Sequence, residues 1–420
     1  MAAMLLLSWG SHGDVLPFVA LAQALREAGH EVALGAQPHH AELVRRHGIA
    51  FHPLGSQTTP AEYQRLMTTL IDEANPRKQL HHLLQEMLLP DLDAQYRDAL
   101  ALMPAANLVV AHWLQLAGMA AAETLGKPCL TVNLNPQGIM AIAPQRPDIA
   151  AQGRTRNLGR ELADGLWGEG FHEFRARHGL PPIVSVAEYA QRRAAGLLAV
   201  SPALLTNDEI AACNSQPNHR ITGFWQPPAE RDWQPPAELA QFLAAPEPPV
   251  VFCFGSMAGR VEELNAIVLQ TVRRLDCRAI LQGGWAGLGG ELAATSGNIL
   301  CIDHAPHSYL FPRVACVVHH GGAGTTAAAL RAGTPSVIVW HMLDQPYWGN
   351  RLAQLELGPA PLPRRELQAD PLAERIRLAM NDPIYKENCR RMAQRLGSEQ
   401  GVGQAVGAIA QLLTPITDVV

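Results

Sequence analysis

Short apolar runs alternate along this chain with stretches in which apolar residues recur every three or four positions. "AMLLLS" predicts a strand, and "VLPFVALAQALREAGH" predicts the helix that follows it, with Gly29 as its stop. "EVALGA", "HHAELVRRHG" and "IAFHPLG" continue as strand, helix and strand. Further on, "NLVVAH", "LQLAGMAAAETLG" and "KPCLTVNL" supply another such unit. Strands that read as unbroken apolar runs, with helices between them, predict parallel sheets covered on both faces. The alternation breaks over 216–249, where prolines crowd. It then restarts with "VVFCFGS", "RVEELNAIVLQTVRRL" and "CRAILQG", followed by "NILCID", "VACVVH" and "SVIVW" with helices between.

The expected architecture is therefore α/β, with two doubly wound, Rossmann-like parallel-sheet domains facing a central cleft. The first domain covers residues 1–220. A Pro-rich linker covers 221–248, and a second domain covers 249–400. Residues 401–420 form a C-terminal helix expected to pack back on the first domain. The regions 55–100 and 138–195 fit the alternation poorly and are expected to be helical insertions.

The chain has 420 residues, ample for two cores, with 48% hydrophobic, 17% charged and 5% aromatic residues. A formal net charge of −5 argues against a nucleic-acid partner. The seven cysteines lie mostly inside apolar runs without a C-x-x-C pair, so they read as reduced thiols, neither disulfides nor zinc ligands. "MAAMLLLSWG" has no basic leader region, and no window reaches the length of a spanning helix. The expectation is a cytoplasmic protein, monomeric or homodimeric, with room for peripheral membrane contact.

Five strand ends carry residues suited to chemistry. In "SWGSHGDVLP", Gly10 and Gly13 allow a tight turn, and Asp14 reads either as an N-cap or as a general base. Ser11 and Gly13 flank His12, which reads as a ligand contact or a turn residue. Ser256 in "FCFGSM" turns the chain or offers a hydroxyl to an anion, and Trp285 in "LQGGWAGLGG" is exposed for stacking or packs over the sheet edge. "CIDHAPHSYLFP" places His304 and His307 around Ala305. The fifth is "VVHHGGAGTTAAALRAGTPSVIVW", in which Gly322, Gly324 and Thr325 open a helix after a buried strand. Backbone N–H groups and the helix dipole there favour a diphosphate, and His320 can donate to it. Adjacent His319 and His320 make a poor metal pair, and His319 reads as the strand's last residue. The same glycines fit a dinucleotide fingerprint, which keeps a nicotinamide oxidoreductase as a rival. Asp344, with Gln345 beside it after the next strand, suits a polyhydroxyl ligand better.

Taken together, "GSHGDVLPFVALAQALREAGHEV", "TGFW" and the run 305–352 resemble the GT-B glycosyltransferases of the family containing sterol glucosyltransferases and macrolide and glycopeptide glycosyltransferases. The rhamnolipid rhamnosyltransferase chain is similar too. The resemblance implies an inverting transfer of a hexose from a UDP- or dTDP-sugar to a hydroxyl of an apolar small molecule or lipid, with no bound cofactor and no metal. A dTDP-rhamnose-dependent transfer is the alternative, with a sugar-nucleotide epimerase, an NAD-dependent oxidoreductase and a non-catalytic sugar-nucleotide-binding partner behind it. By the same resemblance Asp14 is the base, with His12 beside it and Ser11 and Gly13 forming a loop near the acceptor. His320, Gly322, Gly324 and Thr325 would hold the diphosphate, with Ser256 near it. Asp344 and Gln345 would hold the sugar. Ala305 would meet the base with its backbone, with Trp285 and His304 as neighbours. Ala328 stands where plant relatives carry a glutamate for the ribose, which leaves uridine and thymidine both open.

Overall fold

The computed structural model describes residues 1–73, 75–143, 158–191, 193–226, 233–255, 260–283 and 297–413. The chain forms two compact units, each built on one parallel sheet. The first sheet runs β3-β2-β1-β4-β5-β6-β7. Its strands are β1 (Ala3–Leu7), β2 (Glu31–Ala36), β3 (Ala50–Pro53), β4 (Leu108–His112), β5 (Cys129–Asn133), β6 (Ala195–Leu198) and β7 (His219–Ile221). Leu5, Leu6 and Leu7 of β1 are at most 3% exposed, because a central parallel strand is covered on both faces. The helix His12–Glu27 turns Val15, Phe18, Val19, Ala22 and Leu25 inward, three or four residues apart. They meet Leu34, Val110 and Val132 in one cluster, which Ala405, Ala408 and Ile409 of the helix Gly401–Leu413 complete.

The second sheet runs β10-β9-β8-β11-β12-β13, with β8 (Val250–Cys253), β9 (Ala279–Gln282), β10 (Ile299–Ile302), β11 (Cys316–His319), β12 (Ser336–Trp340) and β13 (Leu362–Pro363). Successive residues of β8 feed opposite cores. Val250 and Phe252 pack with Val268, Val318 and Ile376, whereas Val251 and Cys253 pack with Phe311, Val317 and Ala329. Each sheet reverses its strand order once, between β1 and β4 in the first and between β8 and β11 in the second. Ligands of doubly wound sheets bind at the carboxyl ends of the strands at such a point.

The units are not cut from the chain at one place. The second takes residues 59–79 as well as 228–398, and the first takes 399–420 besides its N-terminal stretches. The helix Pro60–Asp72 starts in a capping box: Glu62 N donates to Thr59 Oγ1 at 3.2 Å, and Thr59 N donates back to Glu62 Oε2 at 2.8 Å. Its end is tied into the second unit by Arg260 Nε, 3.0 Å from Asp72 Oδ1. The 138–195 region holds the helices Gln137–Met140, Leu158–Arg177 and Val186–Gln191. All seven cysteines are free thiols. No helix among the described residues is long and apolar enough to cross a membrane.

Candidate active site

The first reversal point is the loop from β1 into the helix His12–Glu27. Ser11, and not Asp14, is the N-cap; Asp14 is the third helical residue and closes a capping box. Ser11 N donates to Asp14 Oδ2 at 2.7 Å, Ser11 Oγ lies 2.9 Å from the same oxygen, and Gly13 N donates to Ser11 Oγ at 3.2 Å. The Asp14 carboxylate is thus aimed by its own helix start. Ser8, fully buried, adds a hydroxyl bond to Asp14 O at 2.8 Å. Gly10 is required here: its φ is +127°, and a Cβ on it would come within 2.3 Å of Asp14 Oδ2. Two side chains from the segment after β2 hold the backbone of Gly10, Gln37 at its nitrogen and His40 at its oxygen. His12 is half-buried, and burial lowers its pKa, so its imidazole is uncharged at neutral pH. At the end of β4, adjacent to β1, His112 is 1% exposed and burial drives its pKa down to about 3.

The second reversal point is the loop between β11 and the helix Ala323–Arg331. His319 is the last residue of its strand, fully buried, and its Nδ1 accepts Gly321 N at 3.2 Å. The ring of His320 is perpendicular to that of His319, 6.3 Å away by centroids. A Cβ on Gly322 would lie 2.5 Å from His320 Nε2, so the imidazole rests against the start of the helix. Burial pushes the His320 pKa down to about 4, which makes it a neutral donor at physiological pH. Gly321, at φ +89°, turns the chain where a side chain would strike Ile338. Gly322 is the N-cap and supplies no side-chain cap, in contrast to the first helix, which is closed by its own carboxylate. The leading N–H groups of this nine-residue helix therefore keep their capacity for an anion. Nothing lies within 4 Å of a Cβ on Gly324, and Thr325 beside it is half-buried.

Asp344 is the residue before the helix Gln345–Gln354, and its Oδ2 accepts Trp348 Nε1 at 2.9 Å. Gln345 is 3% exposed, and its Oε1 accepts His341 N at 2.7 Å and Met342 N at 3.0 Å. Its carbonyl oxygen is thus spent on folding the loop. Leu343, inside that loop, has φ +54°, a strained conformation for a branched side chain. Gln79, 1% exposed, braces the loop from outside: its Nε2 donates to Leu70 O at 2.9 Å, Glu73 O at 2.8 Å and His341 O at 3.2 Å. Sequence reading passed over Gln79, Gln37 and His40, single polar residues that belong to no motif.

Ala305 is fully buried and its carbonyl accepts Gln282 Nε2 at 3.3 Å; His304 is exposed. Burial and the neighbouring His304 and His320 together drive the His307 pKa down to about 4. Ser256 and Trp285 lie outside the described residues. Asp91 and Asp93 stand at an Asp-x-Asp spacing, but each has structural partners. Asp91 accepts Ser56 N at 2.8 Å, and Asp93 binds Arg177 at 2.7 Å and His178 at 2.5 Å.

Two family models match this frame. The glycosyltransferase family 28 N-terminal domain covers residues 4–144, and the C-terminal domain of erythromycin biosynthesis protein CIII-like proteins covers residues 266–410. O-mycaminosyltylonolide 6-deoxyallosyltransferase of Streptomyces fradiae is 32% identical over 95% of this chain and 95% of its own length. A sterol 3-beta-glucosyltransferase of Arabidopsis thaliana is 30% identical over 97% of this chain and 67% of its own. The crystal structure of the glycosyltransferase VinC in complex with dTDP is similar in fold, with a TM-score of 0.67, 22% identity, and coverage of 98% of this chain and 99% of that one. The chain belongs to the glycosyltransferase family that contains the sterol 3-beta-glucosyltransferases and the macrolide and glycopeptide glycosyltransferases, and it has their GT-B fold.

Proposed function

We propose that the protein transfers a hexose from UDP-glucose or a dTDP-sugar to a hydroxyl of a sterol- or macrolide-like acceptor, with inversion at the anomeric carbon. The observation that carries this reading is the second reversal point: an uncapped helix start, a neutral His320 against it and glycines that let a ligand approach. These are donors without fixed charge, suited to a diphosphate whose negative charge grows as it leaves. Asp14 accepts the acceptor's hydroxyl proton, the oxygen bonds to the anomeric carbon, and the bond from that carbon to the diphosphate breaks. Asp14 then returns the proton to solvent. Asp344 receives sugar hydroxyls, and Gln345 contributes through its amide NH2. A divalent ion is not required in this scheme, because the helix N–H groups and His320 meet the leaving charge.

Thermal unfolding with a panel of UDP- and dTDP-hexoses, followed by transfer assays on sterols and macrolide aglycones, tests this. One donor class is expected to raise the melting temperature and to yield an inverted glycoside at a rate unchanged by EDTA. A shift with NAD alone, or donor consumption without any acceptor, overturns it. His320→Ala is expected to lower kcat by about 10²- to 10³-fold, the range for losing one preorganised hydrogen-bond donor, in steady-state assays.

A further inference from the structure

We propose that His40 is a positioning residue for the Asp14 carboxylate, acting through the peptide that joins Gly10 to Ser11, with Gln37 steadying the peptide before it. This rests on the reading of Asp14 as the base. His40 Nε2 lies 3.0 Å from Gly10 O, and Ser11 N donates to Asp14 Oδ2 at 2.7 Å. Gly10 O and Ser11 N belong to one planar peptide, so the ring and the carboxylate grip opposite edges of a single rigid unit. A carbonyl only accepts, so His40 carries its proton on Nε2. Its Nδ1 is buried and has no hydrogen-bond partner among the described residues. The ring is 1% exposed, packed 4.0 Å from the His39 ring and 5.3 Å from the His12 ring by centroids. An apolar side chain would fill this space without leaving a ring nitrogen unpaired. Among the described residues, the polar contact that sets the imidazole apart is the one to Gly10.

Gln37, 7% exposed, holds the preceding peptide, with its Oε1 accepting Gly10 N at 3.2 Å. The clamp matters because Gly10 sits between a strand end and a helix start with φ +127°, where glycine has more freedom than any other residue. A rotation of the 10–11 peptide would withdraw His40's acceptor and Asp14's donor together. A chain of hydrogen bonds through one peptide also polarises each member, which strengthens the bond to the carboxylate.

The test is single-turnover and steady-state kinetics of His40→Phe and His40→Gln, alone and combined with Asp14→Asn, alongside calorimetric donor binding and melting temperature. His40→Phe is expected to lower kcat on the order of 10- to 100-fold, the penalty for a misplaced catalytic group, with donor affinity unchanged. His40→Gln, whose amide N–H can reach the same carbonyl, is expected to recover most of that loss. In the Asp14→Asn background His40→Phe is expected to add nothing, because both act through one group. An unchanged kcat in His40→Phe, no recovery with Gln, or a full multiplicative loss on top of Asp14→Asn overturns the clamp. Near-normal turnover of Asp14→Asn itself overturns the base assignment instead, which keeps the two failures apart. Should His40→Phe not fold, Gln37→Met against Gln37→Glu tests the clamp through the preceding peptide, since glutamate keeps an oxygen to accept Gly10 N and methionine does not. A kcat loss in the methionine variant that the glutamate variant recovers supports it, and equal kcat in both overturns it.

Discussion

Asp14→Asn is expected to lower kcat by about 10³-fold or more while leaving nucleotide-sugar affinity and melting temperature close to those of the parent. Asparagine keeps the volume and one carbonyl oxygen, so the bond from Ser11 N, now 2.7 Å, has an acceptor to go to. What disappears is an oxygen able to take a proton. A helix start that loses its cap entirely is destabilised by about 1 kcal/mol, so a large fall in rate with little change in stability separates a base from a structural cap. Single-turnover assays with saturating donor and acceptor make the measurement. Turnover near that of the parent would sink the assignment, and a dead His12→Ala variant beside it would pass the role to His12. That ring is uncharged at neutral pH and so able to accept a proton.

Acidification is expected to unfold the protein well before its carboxylates are neutralised. Burial holds His40 and His112 down to about 3 and His320 and His307 down to about 4, with His319 well below its ordinary value of 6.5. The folded values lie below the unfolded one, so the unfolded chain binds protons that the native chain refuses. Stability is therefore full above about pH 6.5 and is lost as the pH falls from there toward 4. For the deeply buried His40, His112 and His319 the loss is roughly 1.4 kcal/mol per pH unit each within that window. A domain's whole stability is about 5–15 kcal/mol, so a unit or two of pH is enough to matter. His40 and His112 sit in the first unit and His319 in the second, so both are affected. Calorimetric melting from pH 8 to pH 4.5 should show flat transitions above pH 7 and steeply falling ones below pH 6. Transitions that hold level down to pH 5 would contradict it.

Much of the fold is legible in the sequence because parallel strands buried on both faces must be apolar throughout. "EVALGA" and "SVIVW" announce themselves as Glu31–Ala36 and Ser336–Trp340. The strands that escape notice are three: Ala195–Leu198, apolar but at the end of a region read as helical insertion, and the outer two, His219–Ile221 with a histidine and an arginine and Leu362–Pro363, two residues long. The glycine-rich loop is equally plain, since only a turn into a helix needs that composition. The role of a single polar residue is not. An aspartate three positions into a helix and one at its cap look alike until Ser11 is seen to hold the cap. Gln345, adjacent to Asp344, reads as a second sugar contact, yet its carbonyl oxygen closes a turn. Gln79 bonds to a carbonyl 262 residues away, a separation at which local pattern carries no information.

That last bond has a consequence for recombination. Residues 59–79 are written in the first half of the gene product yet fold with residues 228–398. An exchange of C-terminal halves cut at the Pro-rich segment would move the 341–345 loop away from the glutamine that braces its His341 carbonyl, and Arg260 away from Asp72. The graft would have to fold against a foreign strap. The inheritable block for the second unit is discontinuous, and a hybrid that carries both pieces preserves contacts that a single crossover severs.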